Sequence, residues 1–515
     1  MYFKEHQLFY LFLAVFTLFS LFNIDFTHLN SDEGSYALTA VFFNRLVGDW
    51  LANPTIDPSA LFSYAKAYYV FYPKFMFLNG PLLNLINAPI SFSPLLMKLV
   101  TLAFSIGTII VLYHFVLLFF KKEPDAPQLA LLSAVLTATS SVFFYSSITI
   151  MLDVPSIFFF VLALFLFFKN KPLLTGLCLG LSVLMKDVAL PYVAIFCLLI
   201  IRDFRKQWKL FLMLGLSLLP YIILIAASGG LDIFAQYPAK QLWYVERQGD
   251  PQWYDLSGWL YYWQTIVANY SLVVLPFLFF GMYYAYKSGH GFIVLFILLS
   301  FLVVTLMSDK AERRVLNSVM FLSPLIALGA ARFYNHIKSP NSRFLLLFII
   351  TLMLVVQLPL FNQHLSVPMA EVAIDLVNDC PDCTVLIASE TGNAYSSFLM
   401  YESLIRDENV SLRFIRPAVF ESMSALEVIN SERVNRVVVI GDFDYLWANY
   451  DYPVYLPQIN FIVNRYQLIK AYESDVVGHI FVFDTGITDH KALPLCVSSP
   501  SLGSSFCTDA KPSFA

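Results

Sequence analysis

Long apolar blocks, each closed by a short polar or basic stretch, fill the first 361 residues. A helix needs about 20 mainly apolar residues to cross a hydrocarbon core. The first such block is 8–26, after Lys4. No small-residue cleavage site follows it, so it reads as a retained helix and not as a signal peptide. Further blocks lie near 93–120, 128–148, 153–168, 172–185, 188–201, 209–228, 269–286, 291–307, 315–333 and 344–361, which predicts about 11 spans. The pair 172–185 and 188–201 is short and shares the polar hinge Lys186-Asp187. It reads as one re-entrant unit or as two crossings; with two, the termini fall on opposite sides.

From Leu365 onward the periodicity changes. Val385-Leu386-Ile387-Ala388 reads as a buried strand, 394–405 as a helix, 410–415 as a strand, 418–430 as a helix, and 437–440 as a strand before Gly441-Asp442. Two more strands are predicted near 467–472 and 478–483. Strands alternating with helices imply a small α/β domain with a mostly parallel sheet. No Gly-rich phosphate loop follows any of these strands, so an accessory, non-catalytic domain is the simpler reading. The stretch 486–515 is rich in Ser and Pro and is expected to be disordered. The predicted organisation is thus a membrane domain at 1–361 with a first outer loop at 27–90, an α/β domain at 362–485, and a tail.

Composition agrees with a polytopic α-helical membrane protein. Of 515 residues, 58% are apolar and 13% charged, against about 45–50% and 25% in an average soluble domain. Residues 1–361 carry 23 Lys and Arg against 17 Asp and Glu, a net of +6; residues 362–515 carry 9 against 19, a net of −10. The overall charge of −4 gives no basic excess for a nucleic-acid partner.

Positive charge sets the sides of a membrane protein. With the N-terminus inside, the inner connections collect Lys4, Lys121, Lys122, Lys169, Lys171, Arg202, Arg205, Lys206, Lys209, Lys287, Arg332, Lys338 and Arg343. This orientation puts the 27–90 segment, the 229–265 segment and the C-terminal domain outside the cytoplasm. Of the six cysteines, Cys178 and Cys197 sit in apolar blocks and read as packing residues. Cys380 and Cys383 form a C-x-x-C, for which a disulfide is the better expectation outside the cytoplasm. One close pair is too few ligands for a zinc site.

The most informative polar stretch is Asn30-Ser31-Asp32-Glu33-Gly34-Ser35-Tyr36-Ala37. Two adjacent carboxylates follow the first span. Leu38, Val41, Phe42 and Leu46 then recur at helical spacing beside Arg45 and Asp49, which predicts an amphipathic helix in the interface. The acids would stand where a lipid-linked substrate presents its head group. The structural alternative is a helix start, with Ser31 as cap and the two acids favoured by the helix dipole. Asp153, in Met151-Leu152-Asp153-Val154-Pro155, is a lone carboxylate between apolar runs. Such an acid is costly unless paired or wet; a cap with Pro155 in the first turn is again the alternative. The outer cations Lys74, Lys186, Lys310, Arg313 and Arg314 run against the positive-inside trend. Phosphate binding would use such donors, and interfacial snorkelling would place them without it. The aromatic run Trp243, Tyr244, Trp253, Tyr254, Trp259, Tyr261, Tyr262 and Trp263 reads as an interfacial belt, in which some rings could stack on a sugar or line a groove for an isoprenoid chain.

Taken together, these residues resemble a family. An early N-terminal span followed by Asp32-Glu33-x-x-Tyr36-Ala37 looks like the lipid-linked sugar transferases of the GT-C class, of the protein O-mannosyltransferase and lipid A aminoarabinose transferase type. The resemblance continues at Tyr72-Pro73-Lys74, Gly80-Pro81-Leu82-Leu83, Leu152-Asp153, Gly180-Leu181-x-x-Leu184-x-Lys186-Asp187, and Arg313-Arg314 before Ser323-Pro324. It covers about residues 1–361. Two positions depart from the pattern. Lys74 is separated from Gly80-Pro81 where the family commonly has Lys-Pro-Pro, and Asp187 stands where it often has Gly.

The resemblance implies an inverting glycosyltransferase that moves a sugar from a polyprenyl-phosphate donor to a hydroxyl of a glycan, lipid or protein acceptor on the non-cytoplasmic face. Asp32 is then the first candidate for general base, with Glu33 and Asp153 orienting the acceptor or sharing the role. Lys74, Lys186, Arg313 and Arg314 would bind the lipid phosphate and stabilise its developing charge. No cofactor is firmly implied, and a divalent metal held by neighbouring acids stays open. The setting is the plasma (inner) membrane, or the endoplasmic reticulum in a eukaryote. A transporter or flippase of a lipid-linked sugar and a non-catalytic member of the fold are the alternatives.

Overall fold

The computed structural model describes residues 2–24, 31–52, 80–227, 254–307, 316–336, 369–380, 383–388, 413–415, 426, 429–430, 434–440, 461–474, 478–486, 496–498 and 505–507. The membrane part is helical. It comprises α1 (Tyr2–Asn23), α2 (Ser31–Ala52), α3 (Pro81–Asn87), α4 (Pro94–Phe119), α5 (Ala126–Ala138), α6 (Ser141–Ile148), α7 (Asp153–Phe168) and α8 (Pro172–Met185). These are followed by α9 (Ala189–Ile200), α10 (Phe204–Ala227), α11 (Leu256–Tyr270), α12 (Leu275–Lys287), α13 (Gly291–Leu306) and α14 (Leu316–His336).

Local chemistry explains several boundaries. Pro94 opens α4 and Ser93 caps it, its side-chain oxygen accepting the Leu96 N–H at 3.3 Å. The 128–148 block breaks into α5 and α6, bent by 66°. At the break Thr139 and Ser140 turn their hydroxyls back onto the Val135 and Thr137 carbonyls, and Ser140 is extended. Such back-bonding competes with the helix ladder.

By length and hydropathy, two helices among the described residues are fit to cross a membrane, one starting at His6 and α4. Two bent pairs, α5 with α6 and α11 with α12, raise the number to four. Helices α7, α8 and α13 have 16, 14 and 16 residues, short of the usual 20 or so. The expected eleven full spans are therefore not matched helix by helix. The 269–286 block is the second arm of a pair that begins at Leu256 and turns by 99°, and the 344–361 block lies outside the described residues. The 172–201 stretch is two helices parted at residues 186–188.

In a bilayer, helices associate through close packing and interhelical hydrogen bonds more than through apolar burial. Gly176 and Gly180 of α8 face the backbone of Leu210 and the side chain of Ser217 on α10, where no Cβ would fit. Gly281 of α12 and Gly329 of α14 meet the Leu325 and Phe277 carbonyls in the same way. Between α7 and α8, Ser156 donates to the Ser182 carbonyl at 2.9 Å and Ser182 to the Ser156 carbonyl at 2.8 Å. Phe160, Phe296 and Phe321 join α7, α13 and α14 at the centre.

Helix α2 departs from the interfacial expectation. Glu33, Gly34, residues 36–41 and Phe43 are all buried, so these described residues pack inside the protein. Gly34, Ala37 and Ala40 are small enough to admit neighbours there.

The C-terminal domain holds α15 (Met369–Asp379) and a five-stranded sheet of β1 (Thr384–Ala388), β2 (Arg413–Ile415), β3 (Arg436–Ile440), β4 (Gln467–Ser474) and β5 (Gly478–Asp484), in the order β2-β1-β3-β5-β4. β1 runs parallel to β2 and β3, whereas β5 is antiparallel to both β3 and β4. The sheet is mostly parallel in strand direction, as expected: β1, β2, β3 and β4 run one way and β5 alone runs against them. The connection between β4 and β5 is too short for the crossover that parallel strands need, about a dozen residues. Cys380 and Cys383 are bridged, joining the end of α15 to the start of β1. Within the stretch expected to be disordered, β6 (Cys496–Ser498) and β7 (Ser505–Cys507) pair antiparallel.

Candidate functional site

Asp153 is the first residue of α7 and Lys186 the residue after the end of α8. Each charge sits at the helix end whose dipole favours it. Their side chains meet: Lys186 Nζ donates to Asp153 Oδ2 at 2.7 Å, with 7% and 5% of the two side chains exposed. The Ser156–Ser182 exchange lies one turn inward on both helices and holds them at the separation this pair needs. Removing one partner of such a buried pair costs about 3–5 kcal/mol, because the other charge is left alone.

Gly80 closes this corner. It adopts φ +72°, a region open to glycine and strained for other residues. A Cβ there would stand 2.7 Å from the Met185 carbonyl and 2.8 Å from the Leu152 side chain. The turn into α3 therefore rests directly on the residues that precede Asp153 and Lys186.

A second acid–base pair stands beside the first. Glu33, in the first turn of α2, accepts the Ile150 backbone N–H at 2.7 Å on Oε1, and Lys98 Nζ lies 3.5 Å from the same oxygen. Both side chains are almost wholly buried. Ile150 belongs to the non-helical link 149–152, so its N–H has no helical carbonyl and takes a carboxylate instead. Three residues on, the link delivers Asp153. The site is thus built from the starts of α2, α4 and α7, the end of α8 and the Gly80 turn.

Of the residues that the sequence singled out, Glu33, Asp153 and Lys186 come together here. Asp32 lies in the same first turn of α2, its side chain outside the described part. Lys74, Arg313 and Arg314 fall outside the described residues. Lys98 was missed because it sits inside the apolar block 93–120; a lone lysine in a predicted span is the signal that would have found it. In the aromatic run, Tyr254, Trp259 and Trp263 are exposed and Tyr262 is buried. Trp263 stacks on both Phe279 and Phe301, at 6.1 and 5.8 Å. No group of three His, Cys, Asp or Glu side chains that could hold a metal occurs among the described residues. A cavity of about 410 Å³ lined by Phe119, Lys121, Phe168, Asp203 and His290 lies at the far end of α4. At 1.5 Å per residue this is about 30 Å from Lys98.

Comparison with known proteins gives a likeness in structure alone. No protein-family model matches the sequence, and no curated protein does. The likeness is one of fold. Among the solved structures it matches are two of ArnT from Cupriavidus metallidurans. One is bound to undecaprenyl phosphate, with a TM-score of 0.56 and 12% identity over 94% of this chain and 99% of that one. The other is the apo state, with a TM-score of 0.52 and 12% identity over 92% and 97%. The resemblance read from the sequence in residues 1–361 therefore holds for the fold of nearly the whole chain.

Proposed function

We propose that this protein is an inverting membrane glycosyltransferase that takes its sugar from a polyprenyl-phosphate donor. The observation that carries the reading is the pair of buried acid–base contacts, Glu33 with Lys98 and Asp153 with Lys186, on a fold shared with an undecaprenyl-phosphate-bound enzyme. Charged groups at such depth mark functional sites by default.

In this reading Asp32, beside the Glu33–Lys98 pair, takes the proton of the acceptor hydroxyl as it attacks the anomeric carbon. Asp153 orients that hydroxyl. The bond to the lipid phosphate oxygen breaks, and the polyprenyl phosphate leaves with the electron pair. Lys186, with Lys74, Arg313 and Arg314, meets the developing negative charge. The span count of about eleven, the non-cytoplasmic side for the site and for residues 362–485, and the plasma or inner membrane belong to the same proposal. One apolar cluster that contains residues of α2, α3, the 150–152 link and the C-terminal sheet supports a common side for site and domain.

The experiment is transfer from an undecaprenyl-phosphate-linked sugar panel by purified protein in nanodiscs, with undecaprenyl phosphate binding measured in parallel. Wild type transfers a sugar to an acceptor or to water, and Asp32→Asn binds the lipid but loses about 10²–10⁴ in rate. Lipid binding with no transfer of any sugar, or full turnover by Asp32→Asn, would overturn it. Movement of intact lipid-linked sugar across the bilayer without transfer would point to a flippase.

A further inference from the structure

We infer that Lys98 is a positioning residue which, through Glu33, fixes the 149–152 link and so the placement of Asp153; Glu33 itself is an anchor and not a base. The consequence for turnover rests on the glycosyltransferase reading above, but the geometry does not.

The argument starts from what Glu33 already holds. Its Oε1 accepts the Ile150 N–H at 2.7 Å and faces Lys98 Nζ at 3.5 Å, with 2% of the Glu33 side chain exposed. A general base needs access to the proton it abstracts; Oε1 holds two donors inside the protein, and with 2% of the side chain exposed neither oxygen is open to an acceptor. The link it grips is short and tied at both ends. Thr149 is extended and ends α6. Met151 N–H returns to the Thr149 carbonyl at 2.9 Å, and Ser156 N–H reaches the Leu152 carbonyl at 3.2 Å. Ile150 has little room to move without moving Asp153, and Leu152 is wedged under Gly80.

Lys98 gives the anchor its counter-charge. It lies on α4, early in a helix otherwise apolar in its first two turns, and it is buried. Removing either partner of a buried pair leaves the other charge uncompensated, which is strongly destabilising. The chain of contacts therefore runs from Lys98 to Glu33, to the Ile150 amide, and along the link to Asp153 and Lys186. It joins four segments that the sequence spaces over 153 positions, from Glu33 to Lys186.

The test uses full-length protein in nanodiscs, with Lys98→Met, Lys98→Arg, Glu33→Gln and the Lys98→Met/Glu33→Gln double variant. Undecaprenyl phosphate is the probe, titrated well below each variant's melting temperature. Lys98→Met is expected to weaken lipid binding about tenfold, within the range of coupling between contacting groups. Lys98→Arg should return it to near wild type, and the double variant should be no worse than Lys98→Met alone. If folded Lys98→Met binds undecaprenyl phosphate like wild type, Lys98 does not position the site and the inference is wrong. If wild type itself binds none, the glycosyltransferase reading fails and the thermal double-mutant cycle decides the pair. Coupled losses in melting temperature uphold it, and additive losses overturn it. Should Lys98→Met fail to fold, Lys98→Arg and Glu33→Gln carry the same comparison.

Discussion

At the scale of single residues, two substitutions separate strain from charge. Gly80→Ala places a Cβ against the Met185 carbonyl and Leu152 while holding a left-handed backbone. Left-handed backbone alone costs about 1–2 kcal/mol, so a clear fall in melting temperature in detergent is expected. An unchanged melting temperature would mean that the turn has another way to pack. Asp153→Asn and Lys186→Met should each cost about 3–5 kcal/mol, and the double variant clearly less than their sum, because no charge is then stranded. Strictly additive melting shifts would show that the two side chains do not depend on each other. Both residues were legible in the sequence, Asp153 as a lone carboxylate among apolar neighbours and Lys186 in the polar hinge Lys186-Asp187 and among the outer cations. Their pairing was not, since 33 positions separate them and only the packing of α7 on α8 brings them within reach. Lys98 was hidden for the opposite reason: the apolar run around it is strong enough to carry one lysine without breaking the span pattern.

Elements show where sequence periodicity stops being informative. The apolar blocks found most of the membrane helices, because each is a long run with a polar end. The kinks escaped, because a Thr-Ser pair at 139–140 bends the chain through hydroxyl bonds that hydropathy does not weigh. In the C-terminal domain all five strands of the larger sheet were located, and the mostly parallel direction holds for four of them; the short connection to β4 makes β5 the exception, a hairpin partner. Two predictions belong here. Ser156→Ala with Ser182→Ala removes the exchange between α7 and α8; at about 0.6 kcal/mol per membrane hydrogen bond, melting should fall by only a small amount. A loss as large as that of Asp153→Asn would show that the serines, not the ion pair, hold the corner.

The second concerns α15 and β4. Tyr472 donates to Asp375 at 2.6 Å, and Lys470 reaches Asp375 and Asp379 at 3.0 Å. The Tyr472 hydrogen bond, with Lys470 behind it, holds the Asp375 carboxyl below its usual value. A depressed carboxyl lends stability that is present above its unfolded value, about 3.9, and is lost as pH falls through the folded one. Amide exchange in β4, corrected for intrinsic rate, should therefore lose protection below about pH 4. In Asp375→Asn it should be weaker at pH 7 and nearly flat on acidification. Equal acid sensitivity in both proteins would assign the transition to other groups.

For the molecule as a whole, the expected outcome is topological. Cysteines introduced at Ser31 and Ser366 should both react with an impermeant thiol reagent added outside intact cells. Labelling of position 366 only after permeabilisation, with position 31 open from outside, would put the domain and the site on different faces. The paired charges also say something about how the chain is made. Glu33, Lys98, Asp153 and Lys186 all lie in the first 186 residues, and their contacts involve α2, α4, α7, α8 and the links between them. A ribosome has therefore delivered every member of both pairs before it translates α9. Each acid enters ahead of the base that will neutralise it, Glu33 before Lys98 and Asp153 before Lys186. The nascent chain carries each uncompensated carboxylate near the lipid until its own partner arrives, Lys98 for Glu33 and Lys186 for Asp153.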